Sequence, residues 1–323
     1  MQPVDVFLEG WTPAYGSAYV VDEELDGDPA EVSLEEDGQE LLFHTCNVVE
    51  LAGLQVAFVD GVRRKEEGLY RRADDGRIFH ALVGAYGVGS VVADTLGSLH
   101  FGPHVVRRMA IWCGGEVIEL PAARGGYSWE SIAIPGDDPV FALRELQNRM
   151  RREEGLLAGL LGEAGYTVVV DGPLSHVENR DIPVVGYVKV QHRMHLPLEL
   201  HVRLPDLAPY ERTSLFRLGE RRYSCYMRLE PRQAMTGPWH AIVRLEFPAS
   251  RGLTAASAAA DLAAGLLPRY ASRPWRDPRA PQNLAPIGGL EDRLRHLLGN
   301  QALVARAVRE AVASLANPTR TPA

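Results

Sequence analysis

The chain has 323 residues, 46% of them hydrophobic and 24% charged, a composition that buries a sizeable core and excludes a disordered or fibrous protein. It shows neither a run of about 18 apolar residues nor a basic start followed by an apolar stretch, so no membrane partner and no secretory leader are expected, and the expected location is cytoplasmic. The net charge of −8 argues at first against a polyanionic partner, but residues 1–60 hold 14 acidic and no basic residues, leaving +6 on the remainder. Such a split can hide a nucleic-acid groove from the overall charge.

Cys46, Cys113 and Cys225 lie far apart with no Cys-x-x-Cys pairing, so reduced thiols are expected and a thiolate zinc site is not. Only Lys65 and Lys189 among the 34 basic residues are lysines. At Lys189 the compact ammonium is either incidental or chosen where a guanidinium does not fit.

In chain order, residues 1–50 form an acidic extension, either a solvated loop or a partner-docking or DNA-repelling arm. Strand-like runs follow at "LQVAFVDG" (54–61), 77–94, "VVRRMAIW" (105–112) and "EVIELP" (116–121), divided by glycines as in an antiparallel meander. Residues 138–164 read as a helix, with Leu143, Leu146, Met150, Leu157 and Leu161 on one face and Gly165 ending it. "YTVVVDG" and "PVVGYVKVQ" are two more strands, followed by "LELHVRL", "RYSCYMRLE" and "HAIVRLEFP". An Ala-rich helix over about 254–267, a Pro- and Arg-rich loop over 272–286 and one amphipathic helix from about Leu290 to Ala316 complete an elaborated α/β domain spanning 51–316, with 317–323 as a frayed tail.

"VAFVDG" and "TVVVDG" each end an apolar strand in Asp-Gly, at Asp60 and Asp171. Both dipeptides either open turns or present carboxylates at the carboxyl edge of a sheet, where open α/β sheets place ligands. At about 100° per residue, Glu154 falls about 40° from Met150, near the apolar stripe, and Glu153 about 60° to the other side. A core-facing glutamate must be paired or bound to a cation. Oxygen ligands alone suit Mg²⁺ or Mn²⁺, and a carboxylate-held cation performs phosphodiester hydrolysis. Arg63 and Arg64 either hold a phosphate or sit in a solvated turn, and Lys189 is placed to neutralise phosphate charge. His192 and His195 lack the spacing of a zinc helix pair and are expected to face solvent or DNA.

"FVDGVRR", "MRREEGLLAGLLGEAGYTVVVDGPL", "VGYVKVQ" and "DPRAPQNLAPIGGLEDRLRHLLG" together resemble the NurA family of nucleases, over about residues 50 to 310. The resemblance implies an α/β fold with an RNase H-like mixed sheet, flanking helices, added strands and a C-terminal helix. It implies a metal-dependent deoxyribonuclease acting at DNA ends in resection and repair, with Mn²⁺ (or Mg²⁺) held by Asp60, Glu154 and Asp171. Arg63, Arg64 and Lys189 would bind substrate. The implied partners are DNA, a second copy in a homodimer and a HerA-like hexameric ATPase. The Tyr and His that close the archaeal motif set have no counterpart here; Asn283 and Glu291 occupy that region, and Glu153 is the other helical candidate. Two rivals are a non-catalytic DNA-binding or translocase-docking module of the same fold, and an actin-like phosphotransferase. The charged "DGVRRKEEG" disfavours the second, because a phosphate loop needs bare backbone there.

Overall fold

The computed structural model describes residues 33–50, 53–72, 75–94, 96–177, 181–189, 194–232 and 237–316. His192, most of the acidic extension and the 317–323 tail lie outside them. In chain order the strands are β1 (Ser33–Leu34), β2 (Phe43–Thr45), β3 (Val56–Arg72), β4 (Ile78–Ala93), β5 (Leu99–Cys113) and β6 (Glu130–Ile134). After helix α1 (Pro139–Glu163) come β7 (Thr167–Asp171), β8 (Val184–Val188), the short helix α2 (Leu198–His201), β9 (Glu211–Thr213), β10 (Phe216–Leu218), β11 (Arg222–Arg228) and β12 (Ile242–Pro248). Helices α3 (Leu253–Leu266), α4 (Ala285–Leu297) and α5 (Gln301–Ala316) end the fold.

One twelve-stranded mixed sheet runs β1-β10-β11-β12-β8-β7-β3-β4-β5-β6, with β2 and β9 attached beside β11. Its centre is an antiparallel meander, β3 to β4 to β5, then a helix, then β7 parallel to β3 and β8 parallel to β7. That order and polarity is the RNase H-like arrangement. Alternation on β3 sends Ala57 and Val59 into a core shared with α1, and Val56, Phe58 and Val62 into a core shared with α3 and α4. Covering both faces explains why this strand begins as an unbroken apolar run.

Helix α1 starts at Pro139, with Asp138 accepting the Val140 N–H at 2.8 Å, and its buried face carries Leu146, Met150, Glu154, Leu157 and Leu161. Gly165, at φ 93°, ends it and turns the chain into β7.

Four sequence expectations need correction. "EVIELP" is not a strand: Leu120 packs into a core from an irregular segment, and the strand beside β5 is the shorter β6. "LELHVRL" folds as α2 and a following turn that bury Leu204 and pack Leu200 against the same cluster as Leu196, a four-residue spacing that keeps one face in a helix and in a strand alike. The single C-terminal helix is two, broken where Gly299 adopts φ 80° and Asn300 Oδ1 accepts the N–H groups of Ala302 and Leu303. Asp60 does not end its strand, since β3 continues to Arg72 against β4. The described part of the acidic extension is also structured: β1 pairs with β10, β2 pairs with β9, and Leu41 is buried.

Candidate metal centre

Asp60 and Asp171 become neighbours through register. Strand β7 pairs in parallel with β3 up to Val170 opposite Val59, so the next residues on both strands are the two aspartates, on the α4 face. Strand β7 ends there while β3 runs on, which opens the sheet at that level. Helix α4 crosses this face, and Glu291 on its buried side completes a group in which one carboxylate oxygen from each of Asp60, Asp171 and Glu291 lies within 4.8 Å of the others.

Glu154 approaches from the α1 face. Gly61, next to Asp60, admits it: a Cβ there would stand 2.5 Å from Glu154 Oε1 and 2.9 Å from Met150 Cγ. The helix glutamate expected to complete the trio is therefore outside the 4.8 Å group, and Glu291 holds the third place. The alternation of β3 is the reason, because it points Asp60 toward α4 and leaves Gly61 beneath α1. Glu154 is still close enough for its charge to act on Asp60. Glu153 lies half-buried, where its charge acts on Tyr86 instead.

Four cations brace these acids. Lys189 donates to Asp171 Oδ2 at 2.6 Å and to Asn283 Oδ1 at 2.8 Å. Arg151 donates to Glu154 Oε2 at 2.8 Å and to the Asp171 carbonyl at 3.0 Å. Arg279 forks across Glu291 at 2.7 and 2.8 Å and also contacts Asp277, while Arg295 reaches Glu291 at 3.0 Å. Asn283, fully buried, donates to Asp277 Oδ2 at 2.6 Å, and so ties the Lys189 branch to the Arg279 branch.

Asp60, Glu154, Asp171, Asp277 and Glu291 thus outnumber Arg151, Lys189, Arg279 and Arg295 by one among the described residues. The surplus falls on Asp60. Burial, and then the charges of Asp171, Glu291 and Glu154, push its carboxyl well above the ordinary range. Burial also raises Glu154 against the opposing pull of Arg151. In Glu291 burial acts upward, but the Arg279 fork, Lys189 and Arg295 bring it below its usual value. Burial alone would lower the Lys189 ammonium; Asp171 and Asp60 carry it above its usual value instead.

The donor set fits a divalent cation. Glu154 Oε1 and Asp171 Oδ1 are buried without a hydrogen-bond partner, and the surrounding acids lack one positive charge. All donors are hard oxygens, the ligand class of Mg²⁺ and Mn²⁺. A second acidic group, Glu36, Asp37 and His44, differs in kind: Glu36 is held by Arg212 and Ser257, and Asp37 by His44 and Ser214.

The other sequence candidates divide. Arg63 donates to Gln147 of α1 at 2.9 Å, on the Gly61 side of β3. Arg64 is not at the carboxylates: it donates to the carbonyls of Leu298 and Gly299 and to Glu66, capping the end of α4. Asn283 joins the cluster as described. The sequence reading missed Asp277, Arg279 and Arg151. An Asp-x-Arg pair in a loop that precedes a helix with an inward Glu was the available signal for the first two.

No protein-family model matches the chain, and no curated protein matches it. In fold, the chain is similar to a NurA nuclease. The solved structure is that of the NurA nuclease from Sulfolobus solfataricus, at 13% identity, covering 88% of this chain and 88% of that chain with a TM-score of 0.46. Among the described residues no helix is long and apolar enough to cross a membrane.

Proposed function

We propose that this chain is a divalent-metal-dependent deoxyribonuclease whose cation is held by Asp60, Asp171 and Glu291, with Glu154 flanking it. The observation that carries the reading is the pairing of two aspartates by strand register beside a third carboxylate, buried and one positive charge short. A bound Mn²⁺ or Mg²⁺ supplies Lewis-acid stabilisation of phosphoryl charge and acidifies water to serve as nucleophile.

The chain's own groups do the rest. Burial and the charges of Asp171, Glu291 and Glu154 favour the protonated form of Asp60, and positive charge arriving beside it favours the ionised form. Lys189 stays charged, held between Asp171 and Asn283, where its remaining proton can meet a non-bridging phosphate oxygen. Arg279 and Arg295 keep Glu291 ionised for the cation. Arg151 fixes the Glu154 carboxylate so that Oε1, not Oε2, is the free oxygen. The basic body of the chain, +6 beyond residue 60, suits a polyanionic strand. Action at DNA ends, a homodimer and a HerA-like hexameric ATPase are the finer parts of this proposal and rest on the sequence resemblance.

Cleavage of labelled single- and double-stranded DNA, with Mn²⁺ and with EDTA, tests the reading on the wild type, Asp60→Ala and Asp171→Ala. The expected result is Mn²⁺-dependent cleavage lost in both variants. Cleavage by either variant at the wild-type rate overturns the assignment, and tight DNA binding without cleavage by any form supports the non-catalytic module.

A further inference from the structure

The loop that brings Asp277, Arg279 and Asn283 to the carboxylates also carries Trp275 at its tip, 84% exposed. The other described tryptophans behave differently: Trp112 is 3%, Trp129 6% and Trp239 37% exposed. An indole left in water is an amphipathic surface, and among the described residues nothing covers this one. The loop beneath it is not loose. Ser272 N–H donates to the Asn283 carbonyl at 2.9 Å, Asp277 N–H to the Arg273 carbonyl at 3.0 Å, and Asn283 N–H to the Arg279 carbonyl at 3.1 Å. Ser272 and Asn283, at its base, are buried. The indole is therefore presented from a pinned turn.

Its neighbours are cationic. Arg273 is 61% exposed and 3.5 Å from Glu230, Arg276 is exposed, and Arg279 lies four residues on. Trp275 is also near the carboxylates. Asp277 is two residues on, roughly 7 Å of chain. From Asp277, hydrogen bonds of 2.6, 2.8 and 2.6 Å lead through Asn283 and Lys189 to Asp171. An aromatic face flanked by guanidinium groups, a few nucleotides from a phosphodiester-cleaving centre, has the chemistry of a base-stacking platform on a strand-tracking basic surface.

We propose that Trp275 stacks on an unpaired base of a DNA single strand, with Arg273 and Arg276 on the adjoining phosphates, and so sets the entry of the strand into the site. This rests on the nuclease reading for the choice of polymer. Duplex DNA keeps its bases stacked on one another and offers this indole a face only at an end or an opened step. The platform thus favours strands that are already separated.

Binding is measured in EDTA, so that cleavage plays no part, by fluorescence anisotropy of a labelled short oligothymidine and of an abasic strand of the same length. Trp275→Ala is expected to weaken oligothymidine binding about 5- to 150-fold, the range for loss of one stacked base. The same variant is expected to leave the abasic strand, the melting temperature and the Mn²⁺ affinity as in the wild type. Trp275→Phe, which keeps a ring, should recover most of the loss. Equal binding of oligothymidine by Trp275→Ala and wild type overturns the proposal. So does an equal loss on both strands, or a phenylalanine variant as weak as the alanine one. Should the wild type fail to cleave DNA while the base-dependent loss is seen, the nuclease reading fails and the stacking platform stands; the converse pattern removes the platform alone.

Discussion

Replacing Asp60 by Asn should make the cation-free protein more stable, the reverse of the usual effect of changing a buried residue. Two ionised carboxylates with oxygens at the 4.8 Å limit of this group repel by about 3.5 kcal/mol at an effective dielectric of about 20, and more if closer. Asp60 faces two such neighbours, Asp171 and Glu291, so its ionised form carries about 7 kcal/mol of gross repulsion before Lys189 offsets part of it. Burial, and then these charges, raise the Asp60 carboxyl and so favour its protonated form over this repulsion. Protonating an ordinary aspartate at pH 7.5 costs about 5 kcal/mol, at 1.36 kcal/mol for each unit above about 3.9, which sets the ceiling on what Asn can recover. A gain of about 2–4 kcal/mol is expected, because the amide still needs hydrogen-bond partners in a buried site. For a chain of this size that raises the melting temperature by roughly 3–6 °C.

The sign with pH follows from the raised carboxyl. The unfavourable contribution of Asp60 is absent below the unfolded pKa of about 4, grows as pH rises above it, and levels off above the folded pKa. Thermal melts followed by circular dichroism in EDTA should therefore show the Asn variant ahead at pH 7.5 and level with the wild type near pH 4. Mn²⁺ at about 100 times its dissociation constant should add about 2.7 kcal/mol to the wild type and much less to the variant. A variant less stable than the wild type at pH 7.5 in EDTA, or a gain equally large at pH 4, refutes the reasoning.

Three further outcomes are expected. Lys189→Met removes the 2.6 Å partner of Asp171 and should destabilise the protein by about 2 kcal/mol in EDTA, with Mn²⁺ restoring more than it adds to the wild type; unchanged melts would show that Lys189 is not the counter-ion. Gly61→Ala places a Cβ 2.5 Å from Glu154 Oε1 and should cost about 1–3 kcal/mol, measured by urea unfolding, while displacing Glu154; a neutral result would mean that the approach of α1 is not tight. Glu36, brought down to about 2 by Arg212 and Ser257 against its burial, gives stability that is complete above pH 4.5 and lost as pH falls through about 2. Glu36→Gln should remove that part of the acid transition, and an acid titration of wild type and variant identical in shape would contradict it.

Much of the centre was legible in the sequence because short-range patterns carried it. The apolar runs before Asp60 and Asp171 encode strands buried on both faces, and the 3.6-residue stripe of α1 encodes Glu154 as an inward acid. Topology was legible through order, a meander, a helix, then two strands. What could not be read was register. Whether Asp60 ends its strand or stands beside the end of a neighbour depends on where β7 stops, which no local pattern records. For the same reason Glu291 was only an auxiliary candidate, since its contact with Asp60 joins residues 231 positions apart. Arg64, two residues past the α4-facing Val62, went to a helix cap because alternation carries it toward the end of α4, a destination fixed by the break at Gly299. At Leu196, Leu200 and Leu204 the four-residue spacing keeps one face in both the strand and the helix period, so the pattern that reads as a strand also fits the helix found there.

Asp60, Asp171 and Glu291 are the proposed divalent-cation site. Anomalous diffraction from crystals soaked in Mn²⁺ locates the ion without reference to activity. The expected result is a peak bonded to the carboxylates of Asp60 and Asp171 and adjoining Glu291, lost in Asp60→Asn crystals. No peak there, or a stronger one at Glu36, Asp37 and His44, contradicts it.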